Sequence, residues 1–263
     1  MLCKICRSAS AIFASAELLQ KYEVSYFRCQ NCGFVQTEEP YWLAEAYSKP
    51  INDSDTGIIA RNIHNARVTS AVLRFCLDSH GRYLDYGGGY GILVRMMRDR
   101  GFDFYREDRY CQNLFASGFD IADSGDDRFD MLTAFEVAEH FVDPVQEMRS
   151  LLKKSDTILF STELITEKPP QPAAWWYYGL HHGQHISFYT RQSMQLLADQ
   201  NGVLYCNRGS MHLFTRIRST ALAARFKLAT HPRVAMVLDM MSPRTTLTYS
   251  DSARISGVDI TDL

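Results

Sequence analysis

Apolar residues recur at helical and strand spacings along most of the chain. An apolar face predicts a helix over 58–79 that ends near Gly81. Short apolar runs bounded by turn residues predict strands at 82–85, 102–105, 129–135, 157–161, 203–206 and 211–215. Further helices are predicted to begin near Ile92, Pro144 and Gln192, the second of them capped by Asp143.

Strands that alternate with helices are typical of a parallel sheet covered on both faces. We therefore predict an α/β fold: a Rossmann-like, mostly parallel seven-stranded sheet with helices on both faces. Ligands of such sheets bind at the carboxyl ends of the strands. From about residue 216 the chain is predicted to be helical, with basic side chains on a solvated face or on a surface for a phosphorylated substrate or partner.

Composition adds limits on function. Hydrophobic residues make up 46% of the 263 residues and the net charge is −2, as in ordinary globular proteins. This charge gives no general attraction to nucleic acid. The chain has no apolar run of membrane-spanning length and no signal-peptide pattern at its N-terminus. We therefore expect a cytoplasmic protein without membrane insertion, whose cysteines are reduced or metal-bound.

Four of the seven cysteines form two C-x-x-C pairs near the N-terminus: Cys3, Cys6, Cys29 and Cys32. Each pair can bind a metal through two thiolates, and two pairs complete a tetrahedral zinc site with no open position. The spacing predicts a structural zinc. Cys76, Cys111 and Cys206 are isolated and are interpreted as packed apolar residues.

A glycine-rich loop follows the strand at 82–85, with the spacing Asp-x-Gly-x-Gly-x-Gly from Asp85 through Gly87 and Gly89 to Gly91. The dinucleotide fingerprint G-x-G-x-x-G fits in neither register, because Ile92 or Val94 stands where its third glycine would be. A carboxylate before the loop would repel a pyrophosphate. It suits a ligand with an ammonium group and no phosphate, such as the methionine end of S-adenosylmethionine.

A second acid stands 23 residues after Asp85, just past the next predicted strand. Asp108 at this position can accept both ribose hydroxyls of an adenosine, as acids do in dinucleotide folds. Glu107 is the neighbouring candidate. Strand, loop, helix, strand and acid together favour an adenosyl ligand.

Residues 82–162 resemble class I S-adenosylmethionine-dependent methyltransferases. The resemblance rests on the glycine loop and on 128–144, where a strand beginning Phe-Asp runs into Glu-Val-x-Glu-His and then Asp-Pro. It implies that Glu136 and His140 lie near the cofactor or substrate and that Asp120 lies near the adenine. With the cysteine module, the chain resembles methyltransferases that include C-methyltransferases of nucleotide-linked deoxysugars.

A later segment, 175–190, combines aromatic residues with three histidines. The sugar C-methyltransferases have Tyr-x-Glu-His at the positions of 182–185, so His185 aligns, whereas Gln184 replaces the acid. His185 is the best candidate base, and a structural histidine bonded to a backbone carbonyl is the alternative. His140 is the second catalytic candidate, more readily interpreted as a supporting pocket residue. A metal site from His181, His182 and His185 is disfavoured, because no nearby acid completes the set.

We predict four regions: a zinc-binding module at 1–40, a connecting segment and helix at 41–80, a methyltransferase domain at 81–215 and a C-terminal tail at 216–263. The favoured hypothesis is methyl transfer to a small molecule such as a sugar or nucleotide-sugar. One alternative is an RNA methyltransferase that uses the zinc module and basic tail. The other is a cofactor-binding module without catalysis.

Overall fold

The computed structural model describes residues 1–51, 55–77, 80–241 and 245–258 of the chain. Within these ranges the strands are β1 Ser10–Leu18, β2 Tyr22–Cys29, β3 Val35–Thr37, β4 Arg82–Tyr86, β5 Asp103–Glu107, β6 Met131–Phe135, β7 Thr157–Ser161, β8 Ser187–Phe188, β9 Leu204–Arg208 and β10 Met211–Thr215. The helices are α1 Leu43–Ala46, α2 Ile58–Phe75, α3 Ile92–Asp99, α4 Ile121–Ser124, α5 Pro144–Lys154, α6 Arg191–Gln200, α7 Leu222–Ala229, α8 Pro232–Met240 and α9 Thr248–Ser256.

The larger sheet has the order β5-β4-β6-β7-β10-β9. The first four strands are parallel, and β10 pairs antiparallel with both β7 and β9. The mostly parallel α/β sheet is therefore confirmed. The predicted count of seven strands is wrong, because six are present in the described residues. Where a further strand would extend the sheet beside β5, the chain makes a single bridge between Arg106 and Asp120 and then enters α4.

The smaller sheet has the order β1-β2-β3-β8. Its first three strands come from the N-terminal module, whereas β8 comes from the segment that carries the histidines. Val35 pairs with Phe188 and Gln36 pairs with Ser187 across the β3–β8 contact. The aromatic rings of Tyr26, Trp42, Tyr177, Tyr178 and Phe188 fill a separate apolar cluster beneath this sheet. The cysteine module is thus anchored to the rest of the chain through β8.

The C-terminal tail is helical where it is described, as predicted, and it packs onto the body. Arg98 of α3 is buried and donates to both carboxylate oxygens of Asp251 in α9, at 2.8 and 2.7 Å. Phe226 of α7 is fully buried. The basic side chains of the tail face solvent, among them Arg218, Arg225, Lys227 and Arg233. The helix predicted over 58–79 ends at Phe75, and its last two predicted positions lie outside the described residues.

No helix among the described residues is both long enough and apolar enough to cross a membrane.

Candidate functional site

Three parallel strands of the large sheet end along one edge, and their loops form the candidate site. β4 leads into the glycine loop, β6 into the segment that begins at Glu136, and β7 into the loop after Ser161. Because parallel strands share one direction, these three loops lie at the same edge of the sheet. Site residues that were predicted at distant positions in the sequence therefore lie together at this edge.

Asp85 lies near the end of β4 and is buried. Its Oδ1 accepts a hydrogen bond of 2.6 Å from the Thr133 hydroxyl of the neighbouring β6. Burial raises the pKa of the Asp85 carboxyl to about 7, because the charged form is poorly solvated there. Its carboxyl group therefore lies close to ionisation at neutral pH, where a nearby ammonium group would favour its charged form.

The glycine loop turns through left-handed backbone conformations. Gly91 has φ of 86° at the start of α3, and a Cβ there would lie 2.7 Å from the Asn113 side chain. Gly89 has φ of 54°, yet a Cβ there would meet only Ile51, at 3.5 Å. Close contact with Asn113 therefore explains why position 91 is a glycine. Gly89 instead faces open space in which a ligand can approach the backbone. Gly87, also left-handed, donates from its amide to the Glu107 carbonyl at 2.8 Å.

Asp108 faces the glycine loop. Its Oδ2 accepts a hydrogen bond of 2.9 Å from the Gly89 amide, and its Oδ1 accepts from the amides of Tyr110 and Cys111. The side chain of Glu107 forms an ion pair with Lys154 at 3.0 Å. Of the two candidate acids for binding the ribose, Asp108 is thus the one that is hydrogen-bonded to the glycine loop. Its role in binding a ribose stays a prediction.

Asp120 begins α4, where its side chain takes part in a capping box with Asp123. It also forms an ion pair of 3.2 Å with Arg106 and accepts from Asn113. These contacts fix Asp120 beside the end of β5. Contact with an adenine stays a prediction.

Glu136 follows β6 directly and has φ of 54°, a conformation that non-glycine residues adopt at a cost of about 1–3 kcal/mol. Its amide donates to the Ser161 hydroxyl at 3.0 Å, and that hydroxyl donates to the Glu136 carboxylate at 2.5 Å. Ser161 is the last residue of β7, so these two hydrogen bonds connect the end of β6 to the end of β7. Strain of this kind is found where a side chain must point into a site.

His140 and His185 lie against each other, with ring centroids 5.0 Å apart. His140 ends a 3-10 turn formed by Ala138–His140, and His185 comes just before β8. The two segments are joined by a hydrogen bond of 2.9 Å from the Ile186 amide to the Glu139 carbonyl. The structure thus brings the two catalytic candidates together from positions 45 residues apart.

Nδ1 of each ring has a hydrogen-bond partner, and the partner of His185 defines which of its nitrogens carries the proton. Nδ1 of His185 lies 2.6 Å from the Tyr177 carbonyl oxygen, which can only accept, so this nitrogen carries the proton. Nδ1 of His140 lies 2.8 Å from the Tyr47 hydroxyl. The carbonyl bond expected of a structural histidine is therefore present at His185. It leaves Nε2 of that ring as an unprotonated acceptor.

Burial lowers the pKa of both imidazoles, that of His140 to about 3 and that of His185 well below its usual value. Neighbouring histidines lower each pKa further, since adjacent cations repel. Both rings are consequently neutral at pH 7. A neutral imidazole can accept a hydrogen bond or bind a cation through its unprotonated nitrogen.

Sequence reasoning missed two residues at this point. Glu139 is fully buried next to the two rings, although no acid was expected near the histidines. Tyr47 bonds to His140 and stacks on Tyr110 with ring centroids 4.4 Å apart. Glu139 could have been found from its place directly before His140 in a loop that follows a strand. No motif in the sequence around Tyr47 indicates that this residue lies at the site.

Gln184 has a structural role. Its buried amide donates to the carbonyl oxygens of Ala46 and Lys49, at 2.9 and 3.2 Å. The neighbouring Gly183 carbonyl accepts from the Trp42 indole at 2.8 Å. These bonds hold the histidine segment against α1. The residue that stands in place of the acid of the sugar C-methyltransferases is therefore engaged in backbone contacts.

The four N-terminal cysteines lie close together, as the two C-x-x-C pairs predict. Neighbouring sulfur atoms are 3.4 to 3.6 Å apart, and all four lie within 4.8 Å of one another. Tetrahedral zinc with Zn–S bonds of about 2.3 Å places sulfurs about 3.8 Å apart. Backbone amides of Ile5 and Cys32 donate to Sγ of Cys3 and Cys29, at 3.4 Å each. The donor set and spacing fit a structural zinc.

Comparison with known families gives one match. A family model described as a methyltransferase domain matches residues 60–203. No curated protein matches the chain.

Solved structures of several methyltransferases align with this chain at low identity. The mitomycin 7-O-methyltransferase MmcR is 16% identical with a TM-score of 0.41, over 66% of this chain and 59% of that one. Magnesium protoporphyrin IX methyltransferase from Synechocystis is 12% identical with a TM-score of 0.41, over 66% and 94%. The plantazolicin methyltransferase BpumL is 11% identical with a TM-score of 0.47, over 77% and 88%. The chain thus spans about three fifths of the length of the mitomycin enzyme.

The cysteine quartet generates a first prediction. Metal analysis of the purified protein should find zinc bound by these thiolates, and Cys29→Ser should lower both the zinc content and the thermal unfolding midpoint, because closed zinc sites stabilise the fold. Cys76→Ser is the matched control, since Cys76 lies outside the quartet. A wild-type protein that folds stably without metal would contradict the assignment.

Proposed function

The chain belongs to the methyltransferase-domain family, and on that premise we propose that it transfers the methyl group of S-adenosylmethionine to a small molecule. The observation that carries the proposal is the meeting of two halves at one sheet edge. One half is the glycine loop between Asp85 and Asp108, which suits an adenosyl ligand with an ammonium group. The other half is the pair formed by His140 and His185, which can contact the molecule that accepts the methyl group.

In this proposal the cofactor lies across the open face of Gly89. We place its ammonium group near the Asp85 carboxylate and its ribose hydroxyls near Asp108, which the Gly89 amide holds against the loop. Asp120 lies farther along the same edge, beyond the end of β5, and is the proposed neighbour of the adenine. Glu136 contributes a carboxylate between the loop and the histidines.

The acceptor is proposed to lie against His140 and His185. S-adenosylmethionine supplies an electrophilic methyl group, so the protein has to align the acceptor and help to remove its proton. Both rings are partly exposed, which leaves room for contact with a ligand. Trp176, adjacent to Tyr177, is 73% exposed and offers an aromatic face for stacking. These features support a sugar, nucleotide-sugar or related metabolite as the acceptor.

The first test uses the backbone of the loop. Gly89→Ala places a methyl group where the cofactor is proposed to lie, so calorimetric titration should show S-adenosylhomocysteine binding weakened by at least about tenfold, or 1.4 kcal/mol. Gly209→Ala is the matched control. Gly209 has φ of 58°, close to that of Gly89, and its Cβ would also meet no backbone, but it lies in the β9–β10 turn. Equal binding by the two variants would exclude a cofactor at Gly89.

The second test uses pH. The proposed ammonium contact requires ionised Asp85, whose pKa is raised to about 7. At lower pH a proton must leave on binding, so affinity for S-adenosylhomocysteine should fall about eightfold from pH 7.5 to pH 6. Asp85→Asn keeps the oxygen that accepts from Thr133 but cannot ionise. It should bind weakly, with little change over that range. Wild-type affinity that is constant between these pH values would argue against the contact.

A further inference from the structure

Three side chains from two segments of the chain converge beside the proposed acceptor. Glu139 and His140 are adjacent in the turn after β6, and His185 comes from the segment before β8. One ligand atom of each lies within 4.8 Å of the other two. We call these three residues the acceptor-side triad.

Glu139 lacks the partners that a buried carboxylate needs. The residue is fully buried, and neither of its side-chain oxygens has a hydrogen-bond donor in the described part of the chain. Burial of a charged group without a partner costs several kcal/mol. Native proteins rarely bear this cost without a bound ion or another compensating group. The buried Glu139 side chain is therefore a candidate ligand for a cation.

The two histidines are held as metal-binding histidines usually are. Nδ1 of His185 donates to the Tyr177 carbonyl, and Nδ1 of His140 is paired with the Tyr47 hydroxyl. Histidine ligands typically use one ring nitrogen for the metal and bond the other to a carbonyl or similar group, which fixes the ring orientation. Nδ1 of each ring is thus occupied, so Nε2 is the nitrogen that would bind a cation.

We propose that Glu139, His140 and His185 bind one divalent transition-metal cation next to the acceptor. Two imidazole nitrogens and one carboxylate suit zinc, cobalt, manganese or iron better than magnesium or calcium, which prefer oxygen ligands. The proposal rests on the proposed function for the identity of the acceptor site. The metal binding itself can be measured without an acceptor.

The geometry requires only a small adjustment. Ligand atoms around a tetrahedral cation with bonds of about 2.1 Å lie roughly 3.4 Å apart, so the triad has to close by at most about 1.4 Å. Three protein ligands leave at least one position open, as in catalytic metal sites. The cysteine quartet supplies four ligands and leaves none. The chain would therefore hold two metals of different accessibility.

An open position gives the triad a role in methyl transfer. A cation there would lower the pKa of a bound acceptor hydroxyl, whose proton passes to water. The resulting oxygen attacks the sulfonium methyl group, so that a C–O bond forms and the C–S bond breaks. The products are a methyl ether and S-adenosylhomocysteine. His185 would act in this scheme as a metal ligand and not as the base.

The test is a cobalt titration of protein that keeps its cysteine-bound zinc. A mild chelator should remove metal from the open triad, and added Co²⁺ should then bind at about one per chain, with visible bands of a nitrogen- and oxygen-ligated ion. Glu139→Gln and His185→Gln should each weaken Co²⁺ binding by at least about 100-fold. Tyr47→Phe should weaken it about 10- to 100-fold through loss of the His140 partner. His181→Gln, a nearby histidine outside the triad, should bind Co²⁺ like the wild type.

Binding of S-adenosylhomocysteine is measured on the same samples. If the wild type binds S-adenosylhomocysteine but takes up no Co²⁺, or if the Glu139 and His185 variants bind Co²⁺ as well as the wild type, the metal site is refuted while the proposed function stands. If Co²⁺ binds as predicted and S-adenosylhomocysteine does not, the metal site stands and the cofactor assignment fails. Retention of S-adenosylhomocysteine binding by Glu139→Gln shows that this variant is folded. His185→Gln removes a ligand from the other segment, and its folding is checked in the same way.

Discussion

The docking of the β8 segment onto the turn after β6 is the contact on which the histidine side of the site depends. The Ile186 amide donates to the Glu139 carbonyl, the Ser187 hydroxyl to the Phe141 carbonyl, and the Tyr189 hydroxyl to the Ala138 carbonyl, at 2.9, 2.7 and 2.7 Å. These donors are buried, so loss of any one bond would leave a polar group without a partner. The same contact joins the two sheets and places His185 beside His140.

The two halves of the site differ in how they are built. The glycine loop and its acids are formed by residues 85–120, within two neighbouring strands and their connections. The acceptor side needs the N-terminal segment, the turn after β6 and the segment before β8. Tyr47 links the halves, since it stacks on Tyr110 beside Asp108 and bonds to His140. The cysteine module, anchored by β8, thereby supports the side of the site that is proposed to bind the acceptor.

The sequence was informative where structure is local. Strand periodicity predicted the six strands of the large sheet, and β7 and β10 have the expected bounds. The glycine spacing predicted the loop, and the C-x-x-C pairs predicted the sulfur cluster. The fourth strand of the small sheet has two residues and exists only through pairing with β3, which no local pattern shows. The single Arg106–Asp120 bridge, in place of a seventh strand, likewise depends on contacts between distant parts of the chain. The same holds for the position of Glu139 beside His185.

The central claim is that a cofactor between Asp85 and Asp108 directs its methyl group toward the histidine pair. The most direct measurement is a crystal structure with S-adenosylhomocysteine bound. We expect its amino group within hydrogen-bond distance of Asp85, its ribose hydroxyls on Asp108, and its sulfur on the side of His140 and His185. A ligand bound at another edge of the sheet, or one whose sulfur faces away from the two histidines, would contradict the account.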